Sequence, residues 1–259
     1  DVDPILFSLG PVSIRWYGLM FIIGFSLGYM GLVSMCRREK KPPEKMDSLL
    51  THVVLGTIIG ARLGHCFFYE LDYYLAHPIE IFYVWRGGLA SHGGTLGVIL
   101  GLLLFSKKNR EFPFMWLLDR VAIFSCLAGG FIRIGNLMNS EIIGRQTDVP
   151  WAFIFERIDT VARHPAQIYE SLCYFLISGM AILIYRKAKT LPPGGFFFGG
   201  VLGTLFTARF LIEFFKENQE SFEARLPLNM GQLLSIPFVL FCFWLMIRAY
   251  RQWQPSRNP

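Results

Sequence analysis

The chain has 259 residues, of which 53% are hydrophobic, 16% aromatic and only 17% charged, and its mean hydropathy is +0.41. A soluble domain of this length needs more charge to cover its surface, so the composition argues against an ordinary soluble enzyme and for several membrane crossings. The net charge of +6 would suit nucleic acid in a soluble protein. Here the basic residues sit in short segments between apolar runs, which is the pattern of topology signals, and nucleic-acid binding is not expected.

Seven apolar runs approach the roughly 20 residues that cross a hydrocarbon core. They cover residues 14–35, 49–69, 89–106, 117–137, 166–185, 195–215 and 229–249. No cleavable leader is evident, and the first run is itself long enough to span. "EKKPPEK" after it reads as a charged turn. Residues 70–88, with "YVWRGG", predict short interfacial helices, because Trp and Tyr suit the half-wet interface. Residues 138–165, with "DVPWAFIFERID", predict a small extramembrane cap with room for short strands. The expected fold is an all-α polytopic membrane protein of about seven helices, one domain over residues 1–259. No internal repeat appears, so a repeat-built transporter is not signalled.

Positive charge sets the expected orientation. Of the 25 Lys and Arg, fourteen lie in the four segments on one side and seven on the other. The remaining four, Arg62, Arg120, Arg133 and Arg209, lie within the runs. The asymmetry places the N-terminus outside and the C-terminus in the cytoplasm. The five cysteines form no CxxC pair and mostly fall within apolar runs, so they read as small buried hydrophobes and neither a disulfide framework nor a zinc site is expected.

Ionisable groups inside a membrane are costly and mark function. Tyr17 opens the first run. The second holds His52 and Arg62. The third begins "LASHGGTLG", with His92 beside Gly93, Gly94 and Gly97, glycines that permit close approach of a helix or a ligand. On the fourth, Arg133, Asn136 and Ser140 share a face if the helix runs that far, and Asn139 and Glu141 follow. The fifth opens "RHPAQIYE", with Pro165 suited to a helix start and Gln167 and Glu170 turned into the bundle. The sixth holds Arg209 and Glu213 one turn apart, able to pair with each other or to bind a ligand. The site-bearing groups map to the outer half, whereas a transport path needs polar groups in both leaflets. Two arginines in a low-dielectric site suit a phosphate or carboxylate, Asn and Tyr suit neutral hydroxyls, and His can take a proton. No GxSxG elbow, HExxH zinc site or carboxylate cluster for Mg²⁺ is present in the sequence. Metal-free transfer or binding at an anionic phospholipid fits these parts.

"GGFIRIGNLMNSEIIGR" resembles the signature of the bacterial phosphatidylglycerol–prolipoprotein diacylglyceryl transferases. "WYGLMF", "GARLGHCFFY", "VWRGGLASHGG", "RHPAQIYE", "RFLIEFF" and "MGQLLSIP" are similar to further family segments, in the same order and over nearly the whole chain. The resemblance implies a seven-span enzyme of the plasma (inner) membrane whose site faces the periplasm. It would move the diacylglyceryl group of phosphatidylglycerol to the lipobox cysteine thiol of a prolipoprotein, forming a thioether and releasing glycerol 1-phosphate, with no cofactor or metal. His92, Arg133 and Arg209 match its essential residues, the two arginines around the lipid phosphate. Tyr17, Asn136, Asn139, Glu141 and Glu213 match other site positions, and Gln167 joins them from the reading of the fifth run. Two positions depart from the pattern. Leu205 stands where the family usually has tyrosine, which leaves that hydroxyl either absent or supplied elsewhere, as by Tyr17 or Tyr69, and Lys216 replaces a common arginine. The alternatives are a lipid or anion transporter and a non-catalytic lipoprotein-binding relative.

Overall fold

A computed structural model describes residues 2–10, 12–217, 228 and 230–253. Arg225 and Arg257, counted above among the flanking charges, lie outside them. The long helices fall on the expected runs: α1 (Trp16–Arg38), α2 (Lys45–Phe68), α4 (Ser91–Lys108), α5 (Phe114–Met138), α6 (Ala166–Lys187), α7 (Phe196–Ile212) and α8 (Met230–Trp253). The short α3 (Leu71–Ala76) and two 3₁₀ turns fill residues 70–88 as expected.

Among the described residues, six helices are long and apolar enough to cross a membrane, so the chain is a multi-pass membrane protein. The expected count of seven drops by one at α4. Its 18 residues begin Ser-His-Gly-Gly and end Lys-Lys, which dilutes its hydropathy, although its length of about 27 Å approaches the thickness of the core. An N-terminal hairpin, β1 (Ile5–Leu9) against β2 (Val12–Arg15), was not anticipated. The first apolar run, from residue 14, takes in only the last two residues of its second strand. The expected cap contains the short pair β3 (Phe153–Ile154) and β4 (Ala162–Arg163).

The described residues group into two compact units, one within Leu32–Leu118 and the other within Asp1–Gly31 and Asp119–Pro259. In the Leu32–Leu118 unit, α2 and α4 meet backbone to backbone. A Cβ at Gly60 would strike the Gly93 carbonyl oxygen, and one at Gly97 would strike that of Gly56. Between membrane helices, where lipid tails are as apolar as side chains, such close van der Waals contact drives association. The glycines beside His92 therefore admit a helix. Arg62 is 4% exposed and has no carboxylate at contact distance among the described residues. It donates instead to the backbone oxygens of Ile81 (2.9 Å), Gly87 (2.8 Å), Gly88 (3.3 Å) and Glu80 (2.5 Å). One guanidinium thus fastens the 80–88 segment that leads into α4. His52 bonds Ser48 O at 2.7 Å and packs edge-on to Phe105, a structural role.

In the other unit, α6 lies on α5 through hydroxyl-to-backbone bonds: Ser171 to Gly130 O (3.0 Å) and Ser178 to Ile123 O (2.9 Å). Buried Asp119 on α5 accepts from the Gly195 and Phe198 amides (3.1 and 2.8 Å) and so caps α7 from another helix. Four of the five cysteines are buried, Cys173 is half-buried, and all are free thiols. In the cap, Arg163 pairs with both Asp159 and Glu217. The Arg163 hydrogen bond holds the Asp159 carboxyl below the ordinary carboxylate value, and Asp159 and Glu217 raise the Arg163 guanidinium in turn.

Replacing Gly97 by Leu is expected to abolish the cooperative unfolding transition in detergent. Gly179→Ala, where a Cβ meets nothing within 4 Å, leaves the midpoint in place. Equal midpoints for both variants would refute backbone contact. For Asp159, whose folded pKa is depressed, the unfolded state takes up the proton first. The contribution of its pair is full above the unfolded value of about 3.9 and is lost as pH falls through the lower folded value. Cap resistance to protease is therefore expected to hold from neutral pH down to about 4 and fall below it, a drop that Asp159→Asn removes.

Candidate active site

The last turns of α5 start the site. Helix α5 ends at Met138, short of Ser140, which therefore leaves the shared face; its hydroxyl accepts from Arg157 at 2.9 Å. Ser140 and Ile142 both adopt φ 55°, a left-handed conformation that costs a non-glycine residue on the order of 1–2 kcal/mol. These two turns fold Glu141 back over the helix end. Its carboxylate accepts from Asn136 Nδ2 (2.8 Å) and Asn139 Nδ2 (3.2 Å). Asn136 Oδ1 in turn accepts from Arg133 Nη1 at 3.2 Å. Tyr17, the second residue of α1, closes on α5 at Gly135, where a Cβ would lie 2.9 Å from its ring. Its hydroxyl feels the charges of Glu141 and Arg133.

Helix α6 lays a polar stripe beside this. Gln167, Glu170, Ser171, Tyr174 and Ser178 recur at i, i+3, i+4, i+7 and i+11 and are all buried. Gln167 Nε2 donates to the Glu141 backbone oxygen at 2.6 Å. Glu170 Oε2 lies 2.8 Å from Arg133 Nε, and its Oε1 accepts from Lys216 Nζ at 3.0 Å.

The end of α7 closes the cluster. Arg209 and Glu213 do not form a contact pair. Glu213 opens a 3₁₀ turn and binds Lys216 Nζ at 3.1 Å. The cap holds that turn, through a Gly144–Lys216 bridge and Arg145 bonds to the Phe215 and Lys216 carbonyls. Lys216, noted only as a departure in the sequence, is 2% exposed. The Arg209 guanidinium has no carboxylate at contact distance among the described residues; its charged and polar neighbours are the Tyr174 hydroxyl, Glu170 and Glu213.

Of the residues singled out in the sequence, Tyr17, Arg133, Asn136, Asn139, Glu141, Gln167, Arg209 and Glu213 all belong to this unit and end at the same end of its helices. His92 belongs to the other unit, where its exposed ring lies edge-on to Phe68 and tilted against Tyr69. Sequence reasoning missed Glu170 as the shared counter-ion, Lys216 as its second partner, and Tyr174. The phenol facing Arg209 is Tyr174, not Tyr17 or Tyr69; Tyr69 stacks on His65. The three-and-four spacing of Gln167, Glu170 and Tyr174 was the available signal.

Four buried side-chain atoms among the described residues lack an aligned hydrogen-bond partner: Asn139 Oδ1, Gln167 Oε1, Glu170 Oε2 and Tyr174 Oη. All four lie in this cluster. The two amides are oriented by the network. Each NH₂ already donates to an oxygen that can only accept, so each amide oxygen faces the other way. Glu170 Oε2 is neutralised by Arg133 although the hydrogen-bond direction is poor. The cluster can therefore offer cationic donors to an anion and amide oxygens to a hydroxyl donor.

Removing Glu170 would leave Arg133 and Lys216 without their shared carboxylate. Glu170→Ala is expected to destabilise the protein by about 3–5 kcal/mol, the scale of a broken buried pair, read as a lowered midpoint in detergent. An unchanged midpoint would contradict this account of the ion-pair network.

Comparison with known sequences gives an independent view. The profile of the prolipoprotein diacylglyceryl transferase family matches residues 4–248. Similar proteins, each named phosphatidylglycerol–prolipoprotein diacylglyceryl transferase, include one from Chloroherpeton thalassium, 49% identical over 258 residues, covering 100% of this chain and 96% of the relative. One from Tolumonas auensis is 49% identical over 252 residues, with 97% of each chain covered. One from Bacteroides fragilis is 44% identical over 256 residues, covering 94% and 92%. With a signature whose polar residues converge in the structure and relatives that align from end to end, the chain belongs to the prolipoprotein diacylglyceryl transferase family.

Proposed function

We propose that this protein transfers the diacylglyceryl group of phosphatidylglycerol to the lipobox cysteine thiol of a prolipoprotein. One observation carries the reading of the site: Arg133 and Arg209 both face one buried point, the Tyr174 hydroxyl, amid the four unpartnered polar atoms. A guanidinium pair of this kind suits a lipid phosphate, because it stays charged and presents its donors in a fork. The amide oxygens of Asn139 and Gln167 suit the hydroxyls of a glycerol head group, with Asn136, Glu141 and Tyr17 orienting the rim and Glu213 holding Lys216.

In the reaction, the substrate thiolate attacks the glyceryl carbon bonded to the phosphate oxygen. The sulfur–carbon bond forms as the carbon–oxygen bond breaks, and its electron pair leaves on the phosphate as glycerol 1-phosphate. Arg133 and Arg209 stabilise that developing charge. His92 takes the thiol proton, directly or through water. The nucleophile belongs to the prolipoprotein, which accords with five cysteines that serve as packing. Charge asymmetry supports an N-terminus outside, a C-terminus in the cytoplasm and a site facing the periplasm across the inner membrane.

The test is an incubation of the purified protein with phosphatidylglycerol and a lipobox peptide, read by mass spectrometry. A diacylglyceryl adduct is expected. Lipid movement without adduct would instead support a transporter, and binding without either would support a non-catalytic relative. Arg133→Ala and Arg209→Ala are each expected to slow adduct formation by about a hundred- to a thousand-fold, and near-normal rates would remove the clamp. Full activity of His92→Asn would leave that histidine no part in proton transfer.

A further inference from the structure

The Tyr174 hydroxyl is the point that Arg133 and Arg209 face, yet the reading above gives it no part in the reaction. The residue is 4% exposed. Its ring lies against Gly129 of α5, where even a Cβ would come within 3.2 Å of the ring edge. The slot therefore fits an aromatic ring closely, and phenylalanine would fill it equally well. The hydroxyl is what needs explaining. It is buried without an aligned hydrogen-bond partner, with the Arg133 and Arg209 guanidiniums and Glu170 as its neighbours.

A guanidinium has donors only, so neither arginine can accept the phenolic proton. The nearby carboxylate does not hydrogen-bond it either: Glu170 Oε1 takes Lys216, and Oε2, set against Arg133, makes no aligned bond to the hydroxyl. A buried hydroxyl with no acceptor is destabilising relative to the isosteric Phe. Among the described residues no acceptor bonds its proton, and an acceptor that arrives between the two guanidiniums would take it. Leu205, one helical turn before Arg209, brings no hydroxyl of its own.

We propose that Tyr174 is a substrate-contacting residue that donates its hydroxyl proton to an oxygen of the phosphate held by Arg133 and Arg209. The proposal rests on the phosphate-clamp reading of those arginines. It makes the site a three-donor cradle in which the neutral donor comes from α6 and the two charged ones from α5 and α7. The contact strengthens as negative charge gathers on the phosphate during carbon–oxygen cleavage, so its effect falls on turnover.

The experiment uses the full-length purified protein with phosphatidylglycerol and a lipobox peptide. Tyr174→Phe is expected to lower kcat about ten- to a hundred-fold, the range of one hydrogen bond to a charged group. The Michaelis constant for the peptide should stay unchanged, and the unfolding midpoint should hold, because no aligned hydrogen bond among the described residues is lost with the hydroxyl. Wild-type kcat for Tyr174→Phe, in preparations where Arg133→Ala and Arg209→Ala lose turnover, would overturn the proposal and leave the clamp standing. A midpoint that falls together with activity would make the hydroxyl structural and also overturn it. Wild-type turnover by Arg133→Ala or Arg209→Ala would remove the clamp itself, and the role of Tyr174 with it.

Discussion

An arginine kept in a low-dielectric interior needs a counter-charge, and the architecture around α5, α6 and α7 follows from that requirement. Glu170 is the hinge of the arrangement. It is fully buried and shared between Arg133 and Lys216. Lys216 is shared in turn with Glu213. The chain of pairs stops at Arg209, which has no contact carboxylate among the described residues. A buried ion-pair network seldom repays its desolvation through stability alone. Its value here lies in holding the Arg133 guanidinium toward the point that Arg209 also faces.

Backbone geometry serves the same end. Two left-handed residues turn Glu141 over the end of α5, and the two asparagines tie it there. The cap strands and Arg145 fix the turn that carries Lys216. Asp119 anchors the far end of α7. In the other unit, Arg62 does for the 80–88 segment with carbonyl oxygens what Glu170 does with charge. Both cases show a membrane protein using a cation's many donors to organise chain that cannot be fastened by hydrophobic burial.

Much of this was legible in the sequence, because the signals were long or costly. Helices of about 20 apolar residues declare themselves, and polar residues inside them stand out against their surroundings. That is why Arg133, Asn136 and Arg209 could be marked from sequence, and why the cap and the interfacial helices were foreseen. What was not legible depended on pairing between distant elements. Arg209 and Glu213, one helical turn apart, could pair with each other or bind a ligand, and the helix decides between them by tightening into a 3₁₀ turn at Glu213 that hands it to Lys216. Tyr174 is not singled out in the sequence among ten tyrosines; only α5 and α7 packed against α6 give its hydroxyl meaning. The hairpin at Ile5–Arg15 was too short to separate from the apolar run behind it. The glycines of α4 admitted either a helix or a ligand, and the choice lay in the glycines of α2.

The central claim is that Arg133 and Arg209 together hold the phosphate of the lipid. Its most direct measurement is retention of phosphatidylglycerol by purified protein, followed by native mass spectrometry, with neutral diacylglycerol as the comparison. The account predicts that the wild type retains phosphatidylglycerol in preference to diacylglycerol, and that Arg133→Ala and Arg209→Ala each lose that preference. Preference for the phosphate-bearing lipid undiminished in both variants would contradict it.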